Sequence, residues 1–148
     1  MRFISLLILA LTTILLSSCK TPKITADAKE NLIDFCESMS FTNQPLNNIT
    51  TDYYTIDTLF ITNNCLNLWV SYSGGCGDAD FKLYYTNWVI ESIPPKTSIL
   101  LQLIDNDPCR AIVQQKLFFN LSFFDEYSNK EGIVLNLAVR DRSLLFKN

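Results

Sequence analysis

The stretch "LNLWVSYSGGCGDADFKLYY", residues 66–85, contains the pattern that decides the fold. Apolar side chains occupy every second position on both sides of a glycine-rich loop: Leu66, Leu68, Val70 and Tyr72 before it, Phe81, Leu83 and Tyr85 after it. Alternation with a period of two places one set of side chains on a buried face and the other outward. The stretch therefore predicts two half-buried β-strands joined by the loop SGGCGDAD, residues 73–80.

The same alternation recurs outward from this pair of strands. Further runs lie at residues 56–62, 99–104, 117–123 and 133–139, and turn-forming residues at Asn63, at Pro94 and in the segment 128–132 separate them. About seven short strands in a chain of this size are typical of a small sandwich. The sequence thus predicts an all-β fold, a small antiparallel β-sandwich of immunoglobulin-like architecture, with an open β-barrel as the alternative.

One segment has a different pattern. Residues 27–39 begin with Asp27, a good helix cap, carry their acids early, and place Leu32, Ile33 and Cys36 on one side. A short N-terminal helix is expected there. With no internal repeat and no second apolar pattern, residues 27–148 are expected to form a single domain.

The N-terminus has the layout of an export signal. A charge at Arg2 precedes an apolar run at residues 3–16, which is shorter than the roughly 20 residues that cross a bilayer. The motif LSSC, ending at Cys19, resembles the lipobox of bacterial lipoproteins. That resemblance implies a signal peptide at residues 1–18, lipidation of Cys19 and a lipidated tether at residues 19–26.

The implied lipid also sets location and partners. A lipobox implies anchoring to a membrane of the bacterial cell envelope, where two or more acyl chains hold a protein stably. Lys20, directly after the lipidated cysteine, favours the outer membrane by analogy with other lipoproteins. The net charge of −3 and the lack of a Lys/Arg cluster argue against nucleic acid as a partner. The expected partner is an envelope protein or a glycan.

Four cysteines remain for disulfides: Cys36, Cys65, Cys76 and Cys109. They allow three connectivities. If successive strands alternate in direction, the loops that hold Cys76 and Cys109 meet at one pole of the sandwich, with Cys65 at the other. This geometry favours a bridge between Cys76 and Cys109 and leaves Cys36 to pair with Cys65.

The motifs around two of these cysteines support a second resemblance. "SGGCGDADFKL" followed by "DNDPCRA" is similar to a group of small envelope lipoproteins of the Bacteroidetes type, which carry no established activity. In that group an acid and a histidine often follow the last glycine of the first motif. Here those places hold Asp78 and Ala79, which weakens any metal role that depends on an imidazole.

Three chemistries can be argued against for the loop SGGCGDAD. It leads into a strand and carries acids, whereas phosphate loops lead into a helix N-terminus. A reactive Cys76 needs a neighbouring cation or base, and the chain has no histidine. Hydrolase chemistry by paired carboxylates needs a cleft that raises one pKa, which a small sandwich rarely encloses. The sequence therefore indicates a protein that is not an enzyme.

Two binding hypotheses remain. Aspartates are ordinary turn formers, but oxygen ligands from two adjacent loops also suit calcium, and the candidate ligands are Asp78, Asp80, Asp105 and Asp107. Separately, Trp69, Tyr84 and Trp88 fall on the outward register and are expected to lie together as a binding face for a sugar or a protein. The leading interpretation is a lipid-anchored binding or structural accessory module, and the alternative is a calcium-dependent or metal-dependent one.

Overall fold

The computed structural model describes residues 35–128, 130–138 and 140–147. The predicted signal peptide, Cys19, the tether and most of the predicted helix lie outside the described residues. Nine strands, two 3-10 helices and one short α-helix make up the described part. The strands are β1 (Glu37–Ser38), β2 (Ser40–Phe41), β3 (Tyr54–Thr62), β4 (Cys65–Gly74), β5 (Ala79–Ile90), β6 (Lys96–Asp105), β7 (Ala111–Asn120), β8 (Ile133–Leu137) and β9 (Arg142–Phe146).

The strands form two sheets, which confirms the all-β sandwich. One sheet has the order β1-β7-β4-β3 and the other the order β2-β5-β6-β8-β9. In the described part of the chain the strands are divided between two separate sheets instead of forming one curved sheet, so the open-barrel alternative is wrong. The sheets are mixed rather than purely antiparallel, because β1 pairs with β7, β2 with β5 and β6 with β8 in parallel.

The core lies between the two sheets and follows the predicted alternation. The inward residues of the strands that flank the glycine-rich loop are nearly or completely buried: Leu66, Leu68, Val70, Phe81 and Leu83. They pack with apolar residues of β6, β7 and β8 in one cluster. Burying such side chains contributes about 1.5–3 kcal/mol each, and this is the main term that holds the sheets together.

The segment before β3 differs from the prediction. Residues 37–38 and 40–41 are strands, so the expected helix does not extend through residues 35–39. The reason is that the backbone here pairs with two sheet edges in turn: Glu37 is in register with Phe119 of β7, and Ser40 with Tyr84 of β5. The segment thereby passes from one sheet to the other.

After β2 the chain covers the outer face of the five-stranded sheet. Leu46, in the 3-10 helix Leu46–Asn48, and Ile49 bury themselves against Leu100 of β6, with Tyr84 beside them. The other short helices, the 3-10 helix Ser122–Phe124 and α1 (Asp125–Ser128), follow β7. Among the described residues, none of the helices combines the length and apolar character that crossing a membrane requires.

Candidate functional site: the glycine-rich loop and the Trp88 cleft

The loop SGGCGDAD lies at one pole of the sandwich, beside the loop that joins β6 to β7. The disulfide Cys76–Cys109 connects the two loops, with 5.7 Å between the Cα atoms. The loops also touch through their backbones: a Cβ atom added at Gly77 would lie 2.8 Å from the Cα atom of Asp107. Only glycine permits this approach, which explains one of the glycines on which the sequence analysis focused.

Asp107 is the centre of this pole. Its carboxylate accepts hydrogen bonds from the backbone N–H groups of Gly75, Cys76 and Cys109. Partial desolvation would raise the pKa of Asp107, but backbone hydrogen bonds, including one from Gly77, outweigh it and lower the pKa from 3.8 to about 2. The carboxylate therefore stays ionised and holds the loop in place.

The four aspartates do not form a shared set of open ligands. Asp80 pairs with Lys82, with 3.3 Å between the carboxylate oxygen and Nζ. Asp105 accepts a hydrogen bond from the backbone N–H of Asp107, and Asp78 engages the opposite loop through its carbonyl, which accepts from Asn106. The carboxylates of this pole thus act largely as turn caps and surface charges.

One group of possible metal ligands occurs among the described residues: the ligand atoms of Cys76, Asp107 and Cys109 lie within 4.8 Å of one another. Both sulfurs belong to the disulfide, and a metal binds the thiolate form of cysteine. The carboxylate in the group is already held by backbone amides. This geometry favours a structural pole, and the calcium hypothesis remains a prediction for titration.

The second predicted disulfide is also formed. Cys36 is bonded to Cys65, with a Cα–Cα distance of 6.1 Å. Cys65 begins β4 at the pole opposite the glycine-rich loop, as the strand directions predicted. The bridge therefore ties the segment that changes sheets to the four-stranded sheet.

The predicted aromatic face is not formed, and that prediction is wrong. Trp69 lies on β4 in the four-stranded sheet, whereas Tyr84 and Trp88 lie on β5 in the five-stranded sheet. Trp69 pairs across the strands with Lys116, whose Nζ is 4.5 Å from the ring centroid. Tyr84 packs under the chain that covers Leu100. Of these three residues Trp88 is the most open, with 76% of its surface exposed against 42% for Trp69.

Trp88 borders a cleft on the outer face of the five-stranded sheet. The cleft has a volume of about 390 Å³. Its first wall is the covering segment 41–47, its second is the end of β5 from Thr86 to Ile90, and its floor includes Thr97, Ser98 and Ala138. Because Ala79 of β5 is at the glycine-rich pole and Ile90 at the other end, the cleft lies at the pole opposite the stapled loops.

The backbone that shapes the cleft is fixed by hydrogen bonds. Thr97 is 2% exposed, and its hydroxyl donates to the carbonyl of Trp88 at 2.8 Å. On the other wall, the N–H of Thr42 donates to the carbonyl of Tyr85 at 3.0 Å. The register between β5 and β6 shifts between Tyr85 and Val89, so Trp88 lies in an irregular part of the strand beside the cleft.

The described lining of the cleft is mainly apolar, and four side-chain amides interrupt it. Among the described residues that line it, none is Lys, Arg, Asp or Glu. The side-chain amides of Asn43, Gln44, Asn47 and Asn87 are exposed. None of them takes part in a hydrogen bond within the described part of the chain, so they are available to a ligand. The wall 41–47 was not predicted from the sequence, because its local signal is a run of polar residues.

Comparisons with known proteins bear on the fold alone. Neither a protein-family model nor a curated protein matches the chain. Among solved structures, it is similar to the crystal structure of a protein of unknown function, DUF1344, from Bacteroides vulgatus ATCC 8482, with a TM-score of 0.51 and 14% identity. The alignment covers 76% of this chain and 57% of that one, so the chain spans less than two thirds of that structure. The similarity supports the sandwich.

Proposed function

We propose that this protein is a lipid-anchored binding module of the bacterial cell envelope, and that it binds its ligand in the Trp88 cleft. The observation that carries the proposal is an exposed tryptophan at the rim of a formed cleft whose amide side chains have no partners among the described residues. The volume of about 390 Å³ is within the range of roughly 300–1,000 Å³ that is typical of small-molecule sites.

The anchoring part of the proposal rests on the sequence. The apolar run at residues 3–16 and the motif LSSC at Leu16–Cys19 have the order of a lipoprotein signal. Replacing Cys19 with alanine tests it in an envelope fraction. We expect the wild-type chain to enter the detergent phase with an N-terminal diacylated or triacylated cysteine by mass spectrometry, and Cys19→Ala to lack the acyl mass. A wild-type protein without acyl mass would overturn the anchor.

The binding part can be tested in the native envelope with a photoreactive amino acid. Placed at position 88, it lies at the cleft rim; placed at position 69, it replaces the other exposed tryptophan, which lies on the opposite sheet, and this makes it the control. We expect ultraviolet light to produce a defined adduct from position 88 and none from position 69. Equal adducts from both positions, or none from position 88, would contradict a binding role for the cleft.

A further inference from the structure

We infer that the ligand of the Trp88 cleft is an uncharged saccharide. The inference rests on the proposed function, since it names the ligand class of the same cleft. It follows from three properties of the described lining: the largely exposed indole of Trp88 beside the partly exposed ring of Phe41, several free amide groups, and no ionisable side chain.

The aromatic plane is presented on a fixed strand. The carbonyl of Trp88 accepts a hydrogen bond from the hydroxyl of Thr97, and the backbone N–H of Trp88 donates a longer one, at 3.4 Å, to the hydroxyl oxygen of Thr86. The indole is therefore positioned by its backbone, while 76% of the residue stays open to solvent. A sugar ring has a flat face of C–H groups that covers such a plane and removes apolar area from water.

The amides suit hydroxyl groups. Each Asn or Gln side chain both donates and accepts, and a sugar hydroxyl does the same, so the two pair in either direction. Asn87 is next to the indole, and Asn43, Gln44 and Asn47 line the facing wall. A ring stacked on Trp88 thus has hydrogen-bonding groups on two sides.

The same amides argue against an acyl chain. Covering an amide without giving it a hydrogen bond costs about 1–3 kcal/mol. A hydrocarbon that filled the cleft would cover its apolar side chains, but it would also remove water from these amides without giving them a hydrogen bond. An ionised phosphate, carboxylate or ammonium group would be desolvated without a counter-charge from the described residues of the lining.

The test uses the full-length lipidated protein in phospholipid nanodiscs and isothermal titration calorimetry. The probes are neutral hexasaccharides (cello-, malto-, chito- and manno-linked), an acidic oligogalacturonate, and an end-blocked Ala/Ser hexapeptide. We expect at least one neutral hexasaccharide to bind, Trp88→Ala to weaken it at least tenfold, and Trp88→Phe to retain part of the affinity. The matched variant Trp69→Ala should change it less than twofold. Thermal melts check that the variants fold.

The outcomes separate the inference from the function on which it rests. Trp69→Phe leaves Trp88 as the single tryptophan, so its fluorescence reports every probe that enters the cleft. If the peptide or the acidic saccharide binds and Trp88→Ala abolishes that binding, the saccharide class is wrong and the binding cleft stands. Saccharide binding that Trp88→Ala leaves unchanged also overturns the inference. If no probe binds and none alters Trp88 fluorescence, both the proposed binding role of the cleft and its proposed ligand class are wrong.

Discussion

The two disulfides close loops of nearly equal length but hold different parts of the molecule, and their removal should separate global stability from the integrity of the cleft. The variants are Cys76→Ala/Cys109→Ala and Cys36→Ala/Cys65→Ala, and each pair is the control for the other. The sequence separations are 33 and 29 residues.

The expected loss of stability follows from the loop lengths. With the chain-entropy relation, a loop of 33 residues contributes about 3.7 kcal/mol and one of 29 residues about 3.6 kcal/mol. Cys65 is buried, so its replacement also removes packing and should make the second pair the more destabilising. Each double variant should melt roughly 15 °C lower than the wild type. Urea unfolding at neutral pH measures the free energies directly.

The local effects should differ. Without Cys36–Cys65, the segment before the cleft wall is held by β1 and β2, each of only two residues, and by the contact of Phe41 with Tyr85, whose ring centroids are 5.6 Å apart. Without Cys76–Cys109, the glycine-rich loop keeps its hydrogen bonds to Asp107. Hydrogen exchange followed by mass spectrometry should therefore show at least tenfold faster exchange in residues 37–47 for Cys36→Ala/Cys65→Ala alone.

Two results would refute this reasoning. A loss of less than about 1 kcal/mol in both variants would mean that loop closure in the unfolded chain is not what these bridges contribute. Equal exchange in residues 37–47 in both variants would mean that the wall of the cleft does not depend on Cys36. Ligand binding gives a third readout, since only the pair that includes Cys36 should weaken it.

Three further predictions concern the pole of the glycine-rich loop. The pKa of Asp107 is about 2 in the folded protein against an ordinary 3.8, so the stability that this carboxylate contributes is present above about pH 4 and is lost as the pH falls through 2. Melting temperatures from pH 5 to 2 should therefore fall less steeply for Asp107→Asn than for the wild type. Parallel curves for the two proteins would contradict this role of Asp107. Gly77→Ala puts a Cβ atom 2.8 Å from the Cα atom of Asp107 and should lower the free energy of unfolding in urea by about 1–3 kcal/mol, whereas the exposed neighbour Asp78→Ala should change it little. Millimolar calcium should leave the melting temperature unchanged, and a rise that Asp105→Asn abolishes would establish the calcium site instead.

The strands could be predicted from the sequence because their signal is local. Successive side chains of any strand point to opposite faces, whatever its neighbours are, and this is why the buried set Leu66, Leu68 and Val70 was correctly identified. The run predicted at 117–123 stops at Asn120, because residues 122–124 turn into a 3-10 helix. The strand β9 was missed, although Leu144 and Phe146 are apolar at alternate positions.

The grouping of strands into sheets could not be predicted in the same way. Alternation fixes which side of a strand faces inward, but not which strands become neighbours. β4 and β5 follow one another in sequence and lie in different sheets, so Trp69 and Trp88 are separated although both are outward residues. The cleft has a related cause, because one wall comes from residues 41–47 and the other from the end of β5. Long-range packing brings these walls together.

The distance between the two poles of the sandwich separates the glycine-rich loop from the Trp88 cleft. From Asp78 to Trp88 the chain runs along β5 for about 30 Å at roughly 3.3 Å per residue, so an ion at the glycine-rich pole would not touch a ligand in the cleft. The cleft pole is the one where the described chain begins, next to Cys36. If Cys19 carries the lipid, the chain between it and Cys36 spans at most about 60 Å. The proposed anchor then restricts the cleft to ligands near the membrane surface, while the pole of the glycine-rich loop, with its disulfide Cys76–Cys109, stabilises the fold at the other end.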